Sequence, residues 1–230
     1  MQRIYFHEKN PNKRDLKEVA ERINQGEIVI FPTDTIYAIG CLMTNRSGIE
    51  KICRIMNKKE KQARMSLICP NISVISQYTI QISNDVFKTM KRYLPGPYTF
   101  ILKSNNFVQK FFKNSKEEIG VRIPNNDILI GLQEFLKAPL ISTSLNSEDD
   151  ILKYYTDPDE IEEVFAHKAD MLMDGGIGDY AESTVLDCTG PEIELVREGK
   201  GEVYWVITLY LYTSAQLFRL KIQVLPVIVK

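Results

Sequence analysis

The stretch EIVIFPTDTIYAIG, residues 27–40, opens like a buried strand and then changes character. Ile28 to Phe31 form a short continuous apolar run, as a strand buried on both faces would. Thr33, Asp34, Thr35 and Tyr37 then follow among residues that otherwise belong to a core. If the extended form persists, Thr33, Thr35 and Tyr37 share one side, with successive hydroxyls about 6–7 Å apart. That would be a polar ridge able to hold a small polar ligand. The alternative is a strand-to-loop transition whose hydroxyls satisfy nearby backbone groups.

Working outward, KRDLKEVAERINQ, 13–25, places Leu16, Val19, Ala20 and Ile23 at helical spacing, with Gly26 as the stop. On the other side, SGIEKICRIM, 47–56, predicts a helix with Ser47 and Glu50 in capping-box register. MSLIC predicts a strand and DVFKTMKRYL a helix closed by Pro95-Gly96-Pro97. YTFILK and IGVRI predict strands, DILIGLQEFLK a helix and PLIST a strand. Asp157-Pro158 has the chemistry of a helix start, a capping carboxylate before proline. ADMLMD, STVLDC and IELVRE then predict three strands with no helix between them. Alternation through most of the chain gives an α/β class, and the closing strands call for a mixed sheet. No internal repeat or low-complexity linker divides the chain, which favours one domain.

The tail differs. Residues 203–218, VYWVITLYLYTSAQLF, carry no charge and are rich in aromatic and β-branched residues. The run is shorter than the roughly 20 residues of a membrane helix, and its composition suggests an added strand or hairpin.

Composition excludes several classes. The chain has 230 residues, with 29 basic and 30 acidic side chains. It is neither collagen-like nor disordered, and its net charge gives no global case for nucleic-acid binding. The four cysteines contain no C-x-x-C pair, and neither His7 nor His167 sits near one at zinc spacing. Unpaired core thiols in a reducing cytoplasm are expected, and no residue set is assigned to a metal. The N-terminus MQRIYFHEKN lacks the apolar segment of a signal peptide.

The chemistry-bearing residues are few. ISTSLN, 141–146, would put Ser142, Ser144 and Asn146 on one face, with small groups suited to nucleotide phosphates or sugar. At the carboxyl end of an α/β strand, that is where ligands usually bind. Arg122, inside the apolar GVRIP, needs either a buried carboxylate or an anionic ligand, and Arg197 in ELVREG is similar. KKEKQAR, 58–64, is a basic loop. GIGDYA, 176–181, matches G-x-G-x-x-A, but a strand pattern follows where the dinucleotide fingerprint needs a helix. There is no P-loop motif either.

Together, PTDTIYAIGC, LPGPYTFIL, GVRIP, STSLN, STVLDCT and VREGKG resemble, in order, the motifs of the YrdC/YciO family, most closely its YciO-like branch. The resemblance implies a twisted mixed β-sheet with flanking helices over residues 1–203, the YrdC-like fold. A short β-prone extension, 204–230, lies outside it. It also implies a cytoplasmic nucleotidyltransferase forming threonylcarbamoyl-AMP and pyrophosphate from L-threonine, bicarbonate and ATP, with Mg²⁺ accompanying the ATP. The product would serve t6A modification at tRNA adenosine 37 through separate transferase proteins. By the same resemblance Thr35, Tyr37, Arg122 and Ser183 would bind L-threonine. Lys58, Lys59, Ser142, Ser144, Asn146 and Arg197 would bind ATP. The YrdC branch has Lys-x-Arg where this chain has Met56-Asn57-Lys58, so Lys59, Lys61 or Arg64 would have to supply further charge. The alternative is a module of the same fold that binds tRNA, double-stranded RNA or a nucleotide without efficient turnover.

Overall fold

The computed structural model describes residues 1–58, 65–111, 117–146, 154–203, 205–208 and 223–226. Lys59, Lys61 and Arg64 lie outside the described residues, as does most of the apolar tail.

The first expected helix is α1, Lys13–Asn24, and it buries Leu16, Val19, Ala20 and Ile23. Asn12 caps its start by accepting from the Arg14 N–H. At its end Gly26 takes a φ of 109°. The N–H groups of Gly26 and Glu27 return to the carbonyls of Ile23 and Arg22, the closure that a left-handed residue permits. The chain then enters β2, Val29–Phe31, which pairs antiparallel with β3, Ala38–Leu42. Residues 32–37 are therefore the loop of a hairpin, and the extended ridge does not form. Thr33 Oγ1 lies only 2.9 Å from Thr35 Oγ1 and donates 2.8 Å to the Ile36 carbonyl.

Helix α2, Arg46–Ile55, begins one residue before the expected capping box, so its cap is Asn45 and not Ser47. The Gly48 N–H donates 3.0 Å to Asn45 Oδ1, and the Ser47 hydroxyl donates to the same oxygen. Asn45 Nδ2 donates 2.8 Å to the Gly26 carbonyl, which ties the start of α2 to the end of α1.

The remaining main-domain strands are β1, Gln2–Tyr5; β4, Ser66–Ile68; β5, Tyr98–Lys103; β6, Glu118–Arg122; β7, Leu140–Ser144; β8, Met171–Asp174; β9, Thr184–Asp187; and β10, Glu194–Arg197. The helices are α3, Ile72–Ile75; α4, Asn84–Tyr93; α5, Asn106–Phe111; α6, Asp127–Gln133; and α7, Pro158–Phe165. Asp157 caps α7 as its sequence predicts, accepting 2.9 Å from the Asp159 N–H.

The ten strands form one sheet in the order β1-β8-β2-β3-β7-β4-β6-β5-β9-β10. Pairs β1–β8, β2–β8, β4–β6 and β5–β9 are parallel and the others antiparallel, so the sheet is mixed as expected. One face carries a core from Ile30, Ile39, Leu67, Phe100, Val121 and Leu186 with Ile49, Ile52, Met90 and Ile161 of the helices. On the other face, α1 and α6 pack Leu16, Val19, Ile23, Ile128, Leu129 and Leu132 on Val29, Phe31, Leu42, Ile68, Leu140 and Met171.

All four cysteines are free, and Cys41, Cys53 and Cys69 are buried. In the tail, β11, Trp205–Thr208, and β12, Gln223–Pro226, make a separate two-stranded antiparallel sheet. Among the described residues no helix is long and apolar enough to cross a membrane.

Candidate functional site

The site lies where the α1–α6 layer stops. Strand register aligns Gly40, Ser142, Ser66 and Gly120 across β3, β7, β4 and β6. Two residues along each strand, on the same side, the next row is Leu42, Leu140, Ile68 and Arg122. The first three of these belong to the core under α1 and α6, and the fourth is charged. A Cβ built on Gly120 would lie 3.3 Å from Thr99 Cγ2, which places Thr99 of β5 on this face as well. Beyond β4, therefore, the face turns from apolar to polar.

Arg122 is 7% exposed, and its partner is a buried carboxylate. Arg122 Nη2 donates 2.9 Å to Asp34 Oδ1 and 3.0 Å to Thr35 Oγ1. The hairpin loop delivers both acceptors, and Asp34 Oδ2 accepts in turn from the Asn125 N–H at 2.9 Å. Arg122 Nε is buried with no hydrogen-bond acceptor among the described residues. Burial pulls the guanidinium pKa below its ordinary value, against the opposing pull of Asp34. A buried donor left unpaired is costly unless something else accepts from it.

The polar groups continue across β5 and β9. Ser183 Oγ lies 2.8 Å from Thr99 Oγ1. Arg197 Nη2 donates 2.9 Å to the Ser183 carbonyl and 3.3 Å to its hydroxyl. Arg197 Nη1 pairs with Glu182 Oε1 at 2.7 Å. Burial pushes the Tyr154 pKa up to about 12, with Glu182 the next contributor. Tyr154 also forms an isolated antiparallel bridge with Asn146, just past the end of β7. Asn146 Oδ1 accepts 3.2 Å from Lys58 Nζ.

Local chain geometry aims Lys58. Asn57 has a φ of 47° and ends α2. The N–H groups of Asn57 and Lys58 return to the carbonyls of Arg54 and Cys53. Met56, one residue earlier, is buried in the apolar core. Of the three residues Met56-Asn57-Lys58, then, it is the lysine that reaches the polar face. Burial lowers the Lys58 pKa, while Glu182 is among the groups that raise it.

Tyr37 is fully buried, and the backbone of the 175–176 turn occupies its hydroxyl. The hydroxyl donates 2.7 Å to the Gly176 carbonyl and accepts 3.1 Å from the Gly175 N–H. Lys200 closes the near side, pairing with Asp179 at 2.6 Å and donating 2.7 Å to the Asp34 carbonyl. Asp179 in turn donates its N–H to the Thr35 carbonyl at 3.1 Å.

The structure thus brings together Thr35, Arg122, Ser183 and Arg197, and separately Lys58 and Asn146, with Tyr154 and Glu182 joining the two groups. Ser142 lies in the row of small residues beside Ser66, its hydroxyl 3.5 Å from the Ser66 carbonyl. Ser144 ends β7 two residues further along the same face. Tyr37 supports the loop beside Thr35 from beneath. Sequence reasoning assigned no role to Asp34, Thr99, Tyr154 or Glu182. Asp34 stood between two noted threonines, and Glu182 stood beside a noted serine, but their partners are 88 and 15 positions away.

The Sua5_yciO_yrdC family model, described as telomere recombination, matches residues 21–199. The chain is 34% identical to YciO of Escherichia coli K12, itself named as uncharacterized, over 87% of this chain and 96% of that one. The crystal structure of E. coli YciO superposes with a TM-score of 0.81, covering 87% of this chain and 97% of that one. The threonylcarbamoyl-AMP synthase of Pyrococcus abyssi is 29% identical over 77% of this chain and 52% of its own length. The P. abyssi Sua5 structure complexed with L-threonine has a TM-score of 0.78 at 23% identity, covering 86% of this chain and 58% of that one, and so shares the fold. On these grounds the chain belongs to the Sua5/YciO/YrdC family.

Proposed function

We propose that the protein is a threonylcarbamoyl-AMP synthase, joining L-threonine, bicarbonate and ATP into threonylcarbamoyl-AMP with release of pyrophosphate. The observation that carries this reading is the buried, unpaired Nε of Arg122 beside Thr35 on an otherwise polar face. A carboxylate ligand supplies the missing acceptor, and threonine has one. Thr35 and Ser183 complete the pocket around it, and Tyr37, expected from sequence to touch threonine, instead spends its hydroxyl on the 175–176 turn and supports the loop that carries Thr35. Lys58, Lys59, Ser142, Ser144, Asn146 and Arg197 serve the nucleotide. The relatives support the same assignment, since the P. abyssi relative is named for this activity and its structure was solved with L-threonine.

The chemistry asks little acid–base work of the protein. The threonine ammonium first loses a proton to solvent; the amine and bicarbonate then give a carbamate and water, and the carbamate oxygen attacks the α-phosphorus while pyrophosphate leaves. Holding the two reactants in line and neutralising phosphate charge are the main contributions required. Mg²⁺ would accompany the ATP, as ATP chemistry implies; among the described residues no three His, Cys, Asp or Glu side chains gather to hold a metal ion. The product would pass to the transferase proteins that modify tRNA adenosine 37.

A second reading, binding of RNA or nucleotide without turnover, draws on Met56. The residue aligned with the branch's lysine is buried in the core, leaving Lys58 as the described cation of that triplet. Pyrophosphate release from purified protein, omitting ATP, threonine and bicarbonate in turn, decides between them. Release that needs all three supports the synthase. Absence of release, with RNA affinity that falls steeply with salt, supports the second reading.

A further inference from the structure

We propose that Glu182 is the acceptor for the substrate's α-ammonium group, so that the site recognises a free amino acid by both of its charges. This rests on the reading of Arg122 as the carboxylate-binding group. A free amino acid is a zwitterion, and a partly buried site that takes its carboxylate must also provide for its cation. Among the described residues, Asp34, Asp179 and Glu182 are the carboxylates bonded to groups of this face.

Two of them are already committed. Asp34 gives one oxygen to Arg122 and the other to the Asn125 N–H. Asp179 holds Lys200 and accepts from the N–H groups of Tyr180 and Ala181. Glu182 pairs with Arg197 through Oε1, and its side chain keeps 22% exposure. A carboxylate has room for about four hydrogen bonds, so Glu182 retains acceptor capacity.

Its position fits as well. Glu182 precedes Ser183 in the chain, and Ser183 touches Thr99 on the strand beside Arg122. Arg197 spans the two positions, pairing with Glu182 through Nη1 and donating through Nη2 to the Ser183 carbonyl and hydroxyl, so the Glu182 carboxylate lies beside the arginine assigned to ATP and the serine assigned to threonine. An amine held there by its ammonium form would lie at the junction of the two subsites, where its carbamate must meet the α-phosphate.

The test is a binding series on wild type and Glu182→Gln. The ligands are L-threonine, (R)-3-hydroxybutanoate, which keeps the carboxylate and hydroxyl but lacks the amine, and ATP. The variant is expected to bind threonine about tenfold or more weakly, as loss of one charge-assisted contact implies. Its affinity for the hydroxybutanoate and for ATP should match wild type, and the ATP titration also reports that the variant is folded. Equal loss for threonine and hydroxybutanoate would mean that Glu182 only supports the pocket, and would overturn the proposal. Loss confined to ATP would reduce Glu182 to an anchor for Arg197, again overturning it, and so would an unchanged threonine affinity. If wild type itself binds no threonine, the amino-acid reading fails first and the proposal falls with it.

Discussion

Two arginines of the sheet are bound to buried carboxylates, and they differ in what is left over. Arg3 on edge strand β1 is saturated. Its Nε and Nη2 donate 2.9 and 2.7 Å to Asp174, and Nη1 donates to Asp159 at 2.6 Å and to Glu162 at 3.0 Å. Those acids, Asp159 foremost, hold its pKa above the ordinary arginine value. Arg122 on interior strand β6 has one carboxylate and one threonine, both on Nη2, and its Nε has no described acceptor. Burial holds its pKa down. Arg3 is a saturated brace, whereas Arg122 keeps a donor that a bound anion could use, which is the role proposed for it.

The largest expected effect breaks the comparison through stability. Arg122→Ala leaves Asp34 buried without its cation, which should lower unfolding free energy by about 3–5 kcal/mol in a urea titration. Arg3→Ala should lose about 1–3 kcal/mol, because two of its three carboxylate partners, Asp159 and Glu162, are exposed to water. Its affinities for threonine and ATP should match wild type. A drop in ligand affinity in the Arg3 variant would dissolve the distinction between brace and receptor.

A smaller effect concerns the frame that holds the site. Asn45→Ala removes the α2 cap and its link to Gly26, and should destabilise by about 1 kcal/mol. Removing residues 204–230 should leave a single cooperative melting transition, since the sheet is complete at β10. Loss of that transition would place the tail within the core.

The smallest effect is electrostatic. Lys200 holds the Asp179 pKa below the ordinary carboxylate value, followed by the N–H of Ala181. A depressed folded pKa adds stability above the unfolded pKa and loses it as pH falls through the folded one. Lys200→Met should therefore lower stability slightly at neutral pH. The difference should vanish in strong acid, where Asp179 is protonated in both states. Because both side chains are about 40% exposed, at 42% and 35%, solvent screening keeps the effect small.

Much of the scaffold was legible because its signals are local. The spacing of Leu16, Val19, Ala20 and Ile23 marks α1, and YTFILK coincides with β5. The hairpin from β2 to β3 was not legible, because IYAIGC after PTDT carries no turn dipeptide and is apolar throughout. Only the pairing of Phe31 with Ala38 reveals that the threonines lie in its loop. Strand β1 was missed because four residues at an edge carry too short a pattern. In the site, the isolated charge of Arg122 in an apolar strand predicted a buried partner, but no local rule could name Asp34. Glu182 escaped notice for a similar reason. Its role depends on Tyr154 and Arg197 arriving from other elements.

Arg122 is proposed to keep a donor for the substrate carboxylate, and Arg122→Lys tests this most directly. Lysine keeps the positive charge opposite Asp34 but lacks the Nε edge. Calorimetric titration of wild type and variant with L-threonine and with ATP is the measurement. The expected result is a threonine affinity reduced about tenfold to a hundredfold, with ATP affinity unchanged. Equal loss for both ligands, or none for threonine, would contradict it.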